Sequence, residues 1–330
     1  MSKRKPDPEL TVVIPCFNEE EVLPELLAEL DKLDESVPSP VYFIFVDDGS
    51  SDGTLGILES LCAEDERFAC LSFSRNFGHQ SAVSAGLKHA RGDVVAVIDA
   101  DLQDPPFVIP AFIDKWREGY DVVYGIRTNR KERLLLRLAY SMFYRILKRI
   151  AHVEVPLDAG DFALVDRRVV DEINRMPEHN RFIRGLRGWV GFRQTGVAYE
   201  RMARHSGESK YTFNKLLKLA LNGLISFSAV PLRLASWLGI MAAALGFVYL
   251  AYAFVARLVG VSITPGWTST IVTILFLGGI QLMVLGILGD YLGRIFDEVK
   301  SRPDFIPREM FGWLVDASSQ AGGEDAGAVR

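Results

Sequence analysis

Up to about residue 126 the chain repeats one pattern, in which short apolar runs alternate with segments of helical periodicity. Leu10–Cys16 (LTVVIPC), Val41–Val46 (VYFIFV), Phe68–Phe73 (FACLSF), Val94–Ile98 (VVAVI) and Asp121–Ile126 read as strands. Their β-branched and aromatic content, without polar alternation, is that of strands buried on both faces. The intervening segments predict helices: one opening at Asn18-Glu19-Glu20-Glu21 and running to about Leu33, one through Leu61, one to about Ala90, and one after Pro105-Pro106. Strands alternating with helices at this spacing predict an α/β fold with a parallel, doubly wound sheet. Beyond about residue 230 the pattern changes. Trp237 to about Ala256 and Ser269 to about Gly289 are uncharged runs, each roughly long enough to cross the ~30 Å hydrocarbon of a bilayer. Buried core helices are the alternative. Thr212–Ala229, with Lys215 and Lys218 near its start, has the pattern of an amphipathic helix lying on a membrane surface.

The polar residues that interrupt the strands matter as much as the strands. Three strands end in Asn18-Glu19, Asp47-Asp48 and Asp99-Ala100-Asp101-Leu102-Gln103-Asp104. Open α/β sheets bind ligands at the carboxyl ends of their strands, so three such loops on one edge predict a polar, nucleotide-sized cleft. Asp99 and Asp101 lie two apart and share a face if strand geometry persists. Paired carboxylates there suit a hard divalent cation that also accepts diphosphate oxygens; an acidic loop with Asp104 as a helix N-cap is the plainer reading. No glycine-rich dinucleotide fingerprint follows the first strand and no P-loop motif occurs, which argues against those two folds.

A net charge of −5 over 330 residues gives no reason to expect nucleic acid as a partner. Locally the balance reverses. Arg127, Arg130, Lys131, Arg133, Arg137, Arg145, Lys148 and Arg149 face a single acid, Glu132, and are interleaved with Leu, Tyr and Phe. Such a segment is either a solvated basic face or a contact for anionic lipid and phosphate. Cys16, Cys62 and Cys70 form neither a disulfide framework nor a zinc site. MSKRKPDPEL lacks the apolar core of a signal peptide, so the first domain is expected to stay in the cytoplasm. Basic residues flank the two apolar runs on their outer sides, and only Arg257 lies between them. The positive-inside rule then predicts a multi-pass inner-membrane protein with both termini cytoplasmic.

Taken together, Val12-Ile14-Pro15 with Asn18-Glu19, Asp47-Asp48-Gly49-Ser50 with Asp52-Gly53-Thr54, and Asp99-Ala100-Asp101-Leu102-Gln103-Asp104-Pro105-Pro106 resemble the GT-A domain of family 2 glycosyltransferases. Arg75-Asn76-Phe77-Gly78-His79, Gly160-Asp161-Phe162, Arg184-Gly185-Leu186 and Gly207-Glu208-Ser209-Lys210-Tyr211, followed by two apolar runs, narrow this. They resemble the polyprenyl-phosphate glycosyltransferases, of dolichol-phosphate mannose synthase and bactoprenol glucosyltransferase type. The resemblance spans about residues 10 to 298, and the Q-x-x-R-W motif of processive synthases is missing.

It implies a GT-A (Rossmann-like) nucleotide-sugar domain over residues 1–211, an interfacial helix over 212–232, a two-helix transmembrane hairpin over 233–293 and a cytoplasmic tail over 294–330 whose end is disordered. Pro15, Asn18, Glu19 and Asp48 would line the nucleoside pocket, with Lys210 also on the donor. Asp99, Asp101 and Gln103 would hold Mg2+ or Mn2+ against the donor diphosphate. Arg127, Arg137 and Ser141 match an acceptor-phosphate site. Arg204 would approach the diphosphate or the sugar, and Asp158 and Asp161 would lie near the sugar. The implied activity is inverting transfer of one hexose, glucose from UDP-glucose, to undecaprenyl phosphate by a metal-dependent enzyme that can assemble into homo-oligomers. The alternatives are another donor, such as GDP-mannose or a UDP-aminoarabinose derivative, and a non-catalytic nucleotide-sugar-binding membrane protein.

Overall fold

Successive side chains of the central strands go to opposite cores. Leu10, Val12, Ile14 and Cys16 of β1 (Leu10–Cys16) join Phe43 and Phe45 of β2 (Val41–Asp47), Phe68 and Cys70 of β3 (Phe68–Phe73), and Val94 and Ala96 of β4 (Val94–Val97) on one face. Val13, Ile44, Val46, Ala69, Leu71, Val95 and Val97 fill the other. This period of two, apolar in both phases, is why the strands read as unbroken apolar runs. The computed structural model describes residues 4–127, 159–178, 181–200, 230–259 and 266–315.

Helices cover both faces. On the first lie α1 (Leu23–Ser36), α2 (Thr54–Glu64) and, after a 3-10 turn at Pro106–Val108, α4 (Ile109–Arg117). On the second lie α3 (His79–His89), α5 (Arg167–Arg175) and α6 (Ile183–Trp189). α1 buries Leu23, Leu26, Leu30 and Leu33, one stripe at helical spacing. It starts at Leu23 rather than Asn18, with Pro24 in its first turn. The polar residues before it clasp the neighbouring loop instead: Asn18 takes a positive φ of 56° and its Oδ1 accepts the Ser51 N–H at 2.8 Å, while Glu20 Oε2 accepts the Gly53 N–H at 2.8 Å.

The sheet has eight strands in the order β7-β5-β6-β4-β1-β2-β3-β8. β1 to β4 are parallel, as the alternation predicts. The sheet as a whole is mixed, which corrects the all-parallel expectation. β6 (Ala159–Asp166) runs antiparallel between β4 and β5 (Val122–Arg127), and β7 (Gln194–Tyr199) runs parallel to β5. Because β6 is reversed, its first residues arrive at the edge where β1, β2, β4 and β5 end, and Asp161 with them.

A second correction concerns the end of the chain. Residues 294–330 are expected to form a cytoplasmic tail, yet within them β8 (Pro307–Gly312) pairs antiparallel with β3 and covers its edge. Arg91 lies between the rings of Tyr42 (3.5 Å) and Trp313 (4.2 Å), which fastens this return.

The chain divides into two compact units: Met1–Ser141, Val153–Ser209 and Pro303–Arg330 in one, Met142–His152 and Lys210–Arg302 in the other. The second contains α7 (Val230–Leu258) and α8 (Trp267–Val299), which pack on each other. Trp237, Leu245, Phe247 and Tyr252 of α7 are exposed, as are Phe276, Leu282, Leu292 and Val299 of α8. Long helices with this much apolar surface outside any protein core suit a lipid environment. Among the described residues one stretch, Phe276–Val299, is long and apolar enough to cross a membrane, and a shorter apolar stretch, Ala235–Tyr249, lies in α7. The predicted interfacial helix over 212–229 lies outside the described residues.

Candidate active site

Strand order reverses at β1: β2 and β3 lie on one side of it and β4 on the other. Between the carboxyl ends of β1 and β4 opens a cleft of about 520 Å³, at the switch point where such sheets bind ligands. Pro15, Cys16, Phe17, Asn18, Glu19, Asp48, Asn76, Gly78, His79, Asp99 and Asp101 are among its lining residues. The structure thus brings together six residues expected in the donor site: Pro15, Asn18, Glu19, Asp48, Asp99 and Asp101.

Two loops are knotted together at the floor. Asp48 is buried; its Oδ1 accepts the Phe77 N–H at 2.6 Å and its Oδ2 the Gly78 N–H at 2.9 Å. Burial outweighs those two donors and pushes the carboxyl above its ordinary pKa. Beneath it, Asp47 accepts from the Ser50 N–H at 3.0 Å and the Ser72 hydroxyl at 2.8 Å. Gly49, between these carboxylates and the serines, has φ +72°, and a Cβ there would lie 2.6 Å from the Arg75 carbonyl carbon. Neither the backbone conformation nor the space admits a side chain. Gly49→Ala is expected to lower stability by about 3 kcal/mol, read from thermal or denaturant unfolding; a loss below about 0.5 kcal/mol would contradict this packing.

Asp99 and Asp101 face the cleft, and Asp101 Oδ1 accepts the Gln103 N–H at 3.1 Å across a turn in which Leu102 has φ 57°. Gln103 itself is buried and does not line the cleft. Among the described residues no group of three His, Cys, Asp or Glu side chains is arranged around one ion. Two hard carboxylates fit Mg2+, which takes one or two carboxylates and completes its shell with substrate phosphates and water, and Mn2+, which favours the same oxygen ligands.

His79, which carries no assigned role in the sequence, also lines the cleft, whereas Asp161, expected near the sugar, is not among the lining residues and nor are Arg184 and Arg187. His79 Nε2 lies 3.0 Å from Asp99 Oδ1. Asp161, at the start of β6, receives Arg184 of α6 in a two-pronged pair at 2.7 and 2.8 Å. Arg187 is buried beside it, donating to the Gly160 carbonyl at 3.1 Å, and burial lowers its pKa to about 10. For Asp161 burial works upward, but the hydrogen bonds and charge of Arg184, with His79 and Arg187, hold it below the ordinary carboxylate pKa. A carboxylate depressed in the folded state stabilises fully above its unfolded pKa of about 3.9, and loses that contribution as pH falls through the folded value. Asp161→Asn is therefore expected to flatten the loss of stability below about pH 4; an unchanged acid limb in a denaturation series would contradict the pairing.

Arg127, expected on the acceptor phosphate, stands at the end of β5 in a different company. Its Nε donates to the Tyr199 hydroxyl at 3.2 Å, its Nη2 lies 3.6 Å from Asp104 Oδ1, and Tyr199 donates to the same carboxylate. Asp104 is thus a buried partner of Arg127 and Tyr199, and α4 begins with no side-chain cap. Burial works against the Arg127 charge, but the Asp104 carboxylate outweighs it, and the Arg127 pKa is raised. Arg137, Ser141, Asp158, Arg204 and Lys210 lie outside the described residues.

Residues 11–173 match the family described as "Glycosyl transferase family 2" and residues 230–295 that described as "GtrB C-terminal hairpin". The Bacillus subtilis (strain 168) protein described as "Uncharacterized glycosyltransferase YkcC" is 45% identical over 303 residues, covering 92% of this chain and 94% of that protein. The Shigella flexneri "SfII prophage-derived bactoprenol glucosyl transferase" is 42% identical over 298 residues, covering 90% and 96%.

Proposed function

The chain belongs to glycosyltransferase family 2, in the polyprenyl-phosphate group of bactoprenol glucosyltransferase type, and on that premise we propose that it moves one hexose from a nucleotide sugar to a polyprenyl phosphate. The observation that supports this most is the single cleft in which Pro15, Asn18, Glu19 and Asp48 meet Asp99 and Asp101, in a chain that also carries two long, lipid-suited helices. The first four residues would hold the nucleoside, and the two aspartates the diphosphate end through a divalent cation. The Shigella relative's name specifies glucosyl transfer to bactoprenol, and UDP-glucose is the donor favoured here.

The chemistry needs little from a general base. A phosphate monoester has a second pKa of about 6 and is largely ionised at neutral pH. One of its oxygens attacks the anomeric carbon as the bond from that carbon to the diphosphate oxygen breaks. The nucleoside diphosphate leaves with the electron pair, and the single displacement inverts the anomeric centre. The chain's task is alignment and charge. Asp99 and Asp101 would hold Mg2+ or Mn2+, and such an ion would supply the positive charge that offsets a departing diphosphate. Arg204 and Lys210 would add positive charge on the donor side. Asp161, held by Arg184, and Asp158 would orient sugar hydroxyls. Arg127, Arg137 and Ser141 would receive the acceptor phosphate.

The basic segment from Arg127 to Arg149 would keep the lipid headgroup at bilayer height. α7 and α8 would each cross the inner membrane, with the cleft and both termini on the cytoplasmic side. Purified protein in detergent, given undecaprenyl phosphate and a panel of UDP- and GDP-sugars with Mg2+ or Mn2+, tests the reading. Lipid-linked hexose from one donor, UDP-glucose first, is the expected outcome. Nucleotide-sugar binding without lipid product from any donor would overturn it in favour of a non-catalytic binding protein.

A further inference from the structure

His79 and Gln80 are the first two residues of α3, a helix that lies flush on β1 because Gly86 sits directly against Val13. His79 reaches the cleft, where its Nε2 donates to Asp99 Oδ1 at 3.0 Å. Gln80 does not line the cleft. Its amide nitrogen donates to Asp161 Oδ2 at 3.4 Å and lies 3.4 Å from His79 Nδ1, which accepts the second N–H when the ring carries its proton on Nε2. Its amide oxygen accepts the N–H of Ile183, the first residue of α6, at 3.0 Å. The next residue of α6, Arg184, closes the chain on Asp161 at 2.7 and 2.8 Å.

A continuous series of polar contacts therefore runs from Asp99, at the end of β4, through the first turn of α3 to the start of β6 and the first turn of α6. Every member but Asp99, which lies two residues beyond β4, stands on a helix or strand, the condition for holding a site to within a fraction of an ångström. We propose that His79 and Gln80 are positioning residues that fix the Asp99 carboxylate by one oxygen and couple it mechanically to the Asp161–Arg184 pair. The inference rests on the donor-site reading of the cleft given above. It assigns to Gln80 an influence on the diphosphate end of the site without any contact there. Polar networks of this kind act as units, so removing one link weakens what the next one holds.

The test is a double-mutant cycle on binding, which needs neither acceptor nor turnover. Calorimetry would measure UDP and GDP binding in the presence of Mn2+ for the full-length protein, Gln80→Ala, His79→Ala and the double variant. Gln80→Ala is expected to weaken binding of the preferred nucleotide three- to tenfold, and less than twofold when His79 is already alanine. Gln80→Asn, which keeps the amide but shortens its reach, is expected to behave like Gln80→Ala with an undisturbed thermal midpoint. His79→Gln, which keeps an N–H donor toward Asp99, is expected to restore binding to within about twofold of the parent. Equal effects of Gln80→Ala in both His79 backgrounds, or a change below twofold in the parent, would overturn the coupling. If the parent binds nucleotide with Mn2+ but transfers no sugar, the transfer reading falls and the coupling is still read from the binding constants. If it binds neither nucleotide, both fall.

Discussion

Asp101→Ala is expected to cut sugar transfer at least a thousandfold, with Asp99→Ala close behind. A factor of a thousand corresponds to about 4 kcal/mol of transition-state stabilisation, the scale on which a cation at a departing diphosphate acts. Asp99 and Asp101 are the two cleft carboxylates proposed to hold the cation, so losing one would remove half of that anionic grip. Asp101 also has a structural duty, since its Oδ1 holds the Gln103 N–H in a turn where Leu102 has a positive φ. Asp101→Asn separates the two roles: it keeps an oxygen for the turn and discards the charge. It should fold like the parent and remain at least a hundredfold slower. Radiolabelled transfer at saturating Mn2+, beside a thermal unfolding trace, distinguishes the outcomes. A rate within tenfold of the parent would remove Asp101 from the metal role.

The second large effect is on stability and turnover together. Asp161 is nearly buried and faces Arg184 directly, with Arg187 fully enclosed nearby. Asp161→Ala leaves two guanidinium groups without that counter-charge. Breaking a buried pair from one side costs about 3–5 kcal/mol; Arg184 keeps some exposure, so about 3 kcal/mol is expected. Asp161→Asn should lose less stability, because its amide oxygen still accepts from Arg184, yet it should also be impaired in transfer. Equal stability of Asp161→Ala and the parent in denaturant would contradict the arrangement.

The central strands were legible because parallel strands buried on both faces leave an uninterrupted apolar signature. Phe68–Phe73 falls on its predicted boundaries. The outer strands carry no such mark. β7 is half-buried and β8 is exposed over its first three residues; both exist through pairing with β5 and β3, which only the folded chain supplies. The same cause hid part of the site. Asp48, Asp99 and Asp101 follow directly from strand ends, so local sequence places them. The Asp161–Arg184 pair depends on β6 running against its neighbours and on α6 folding back beside it, and no spacing in the chain encodes either. Asn18-Glu19-Glu20-Glu21 looked like an acidic helix start, but Asn18 and Glu20 clasp the 50–54 loop instead. Asp104 looked like a helix cap and is a buried partner of Tyr199 and Arg127.

The most direct measurement is the stoichiometry and stereochemistry of a single reaction. Purified full-length protein would be incubated with undecaprenyl phosphate, Mn2+ and an α-linked nucleotide sugar, and the lipid product analysed by mass and by anomeric coupling. The account predicts one hexose per lipid phosphate, one nucleoside diphosphate released for each, and a β-linked product. A product of retained configuration, or a growing sugar chain on the lipid, would contradict direct attack by the lipid phosphate in this cleft.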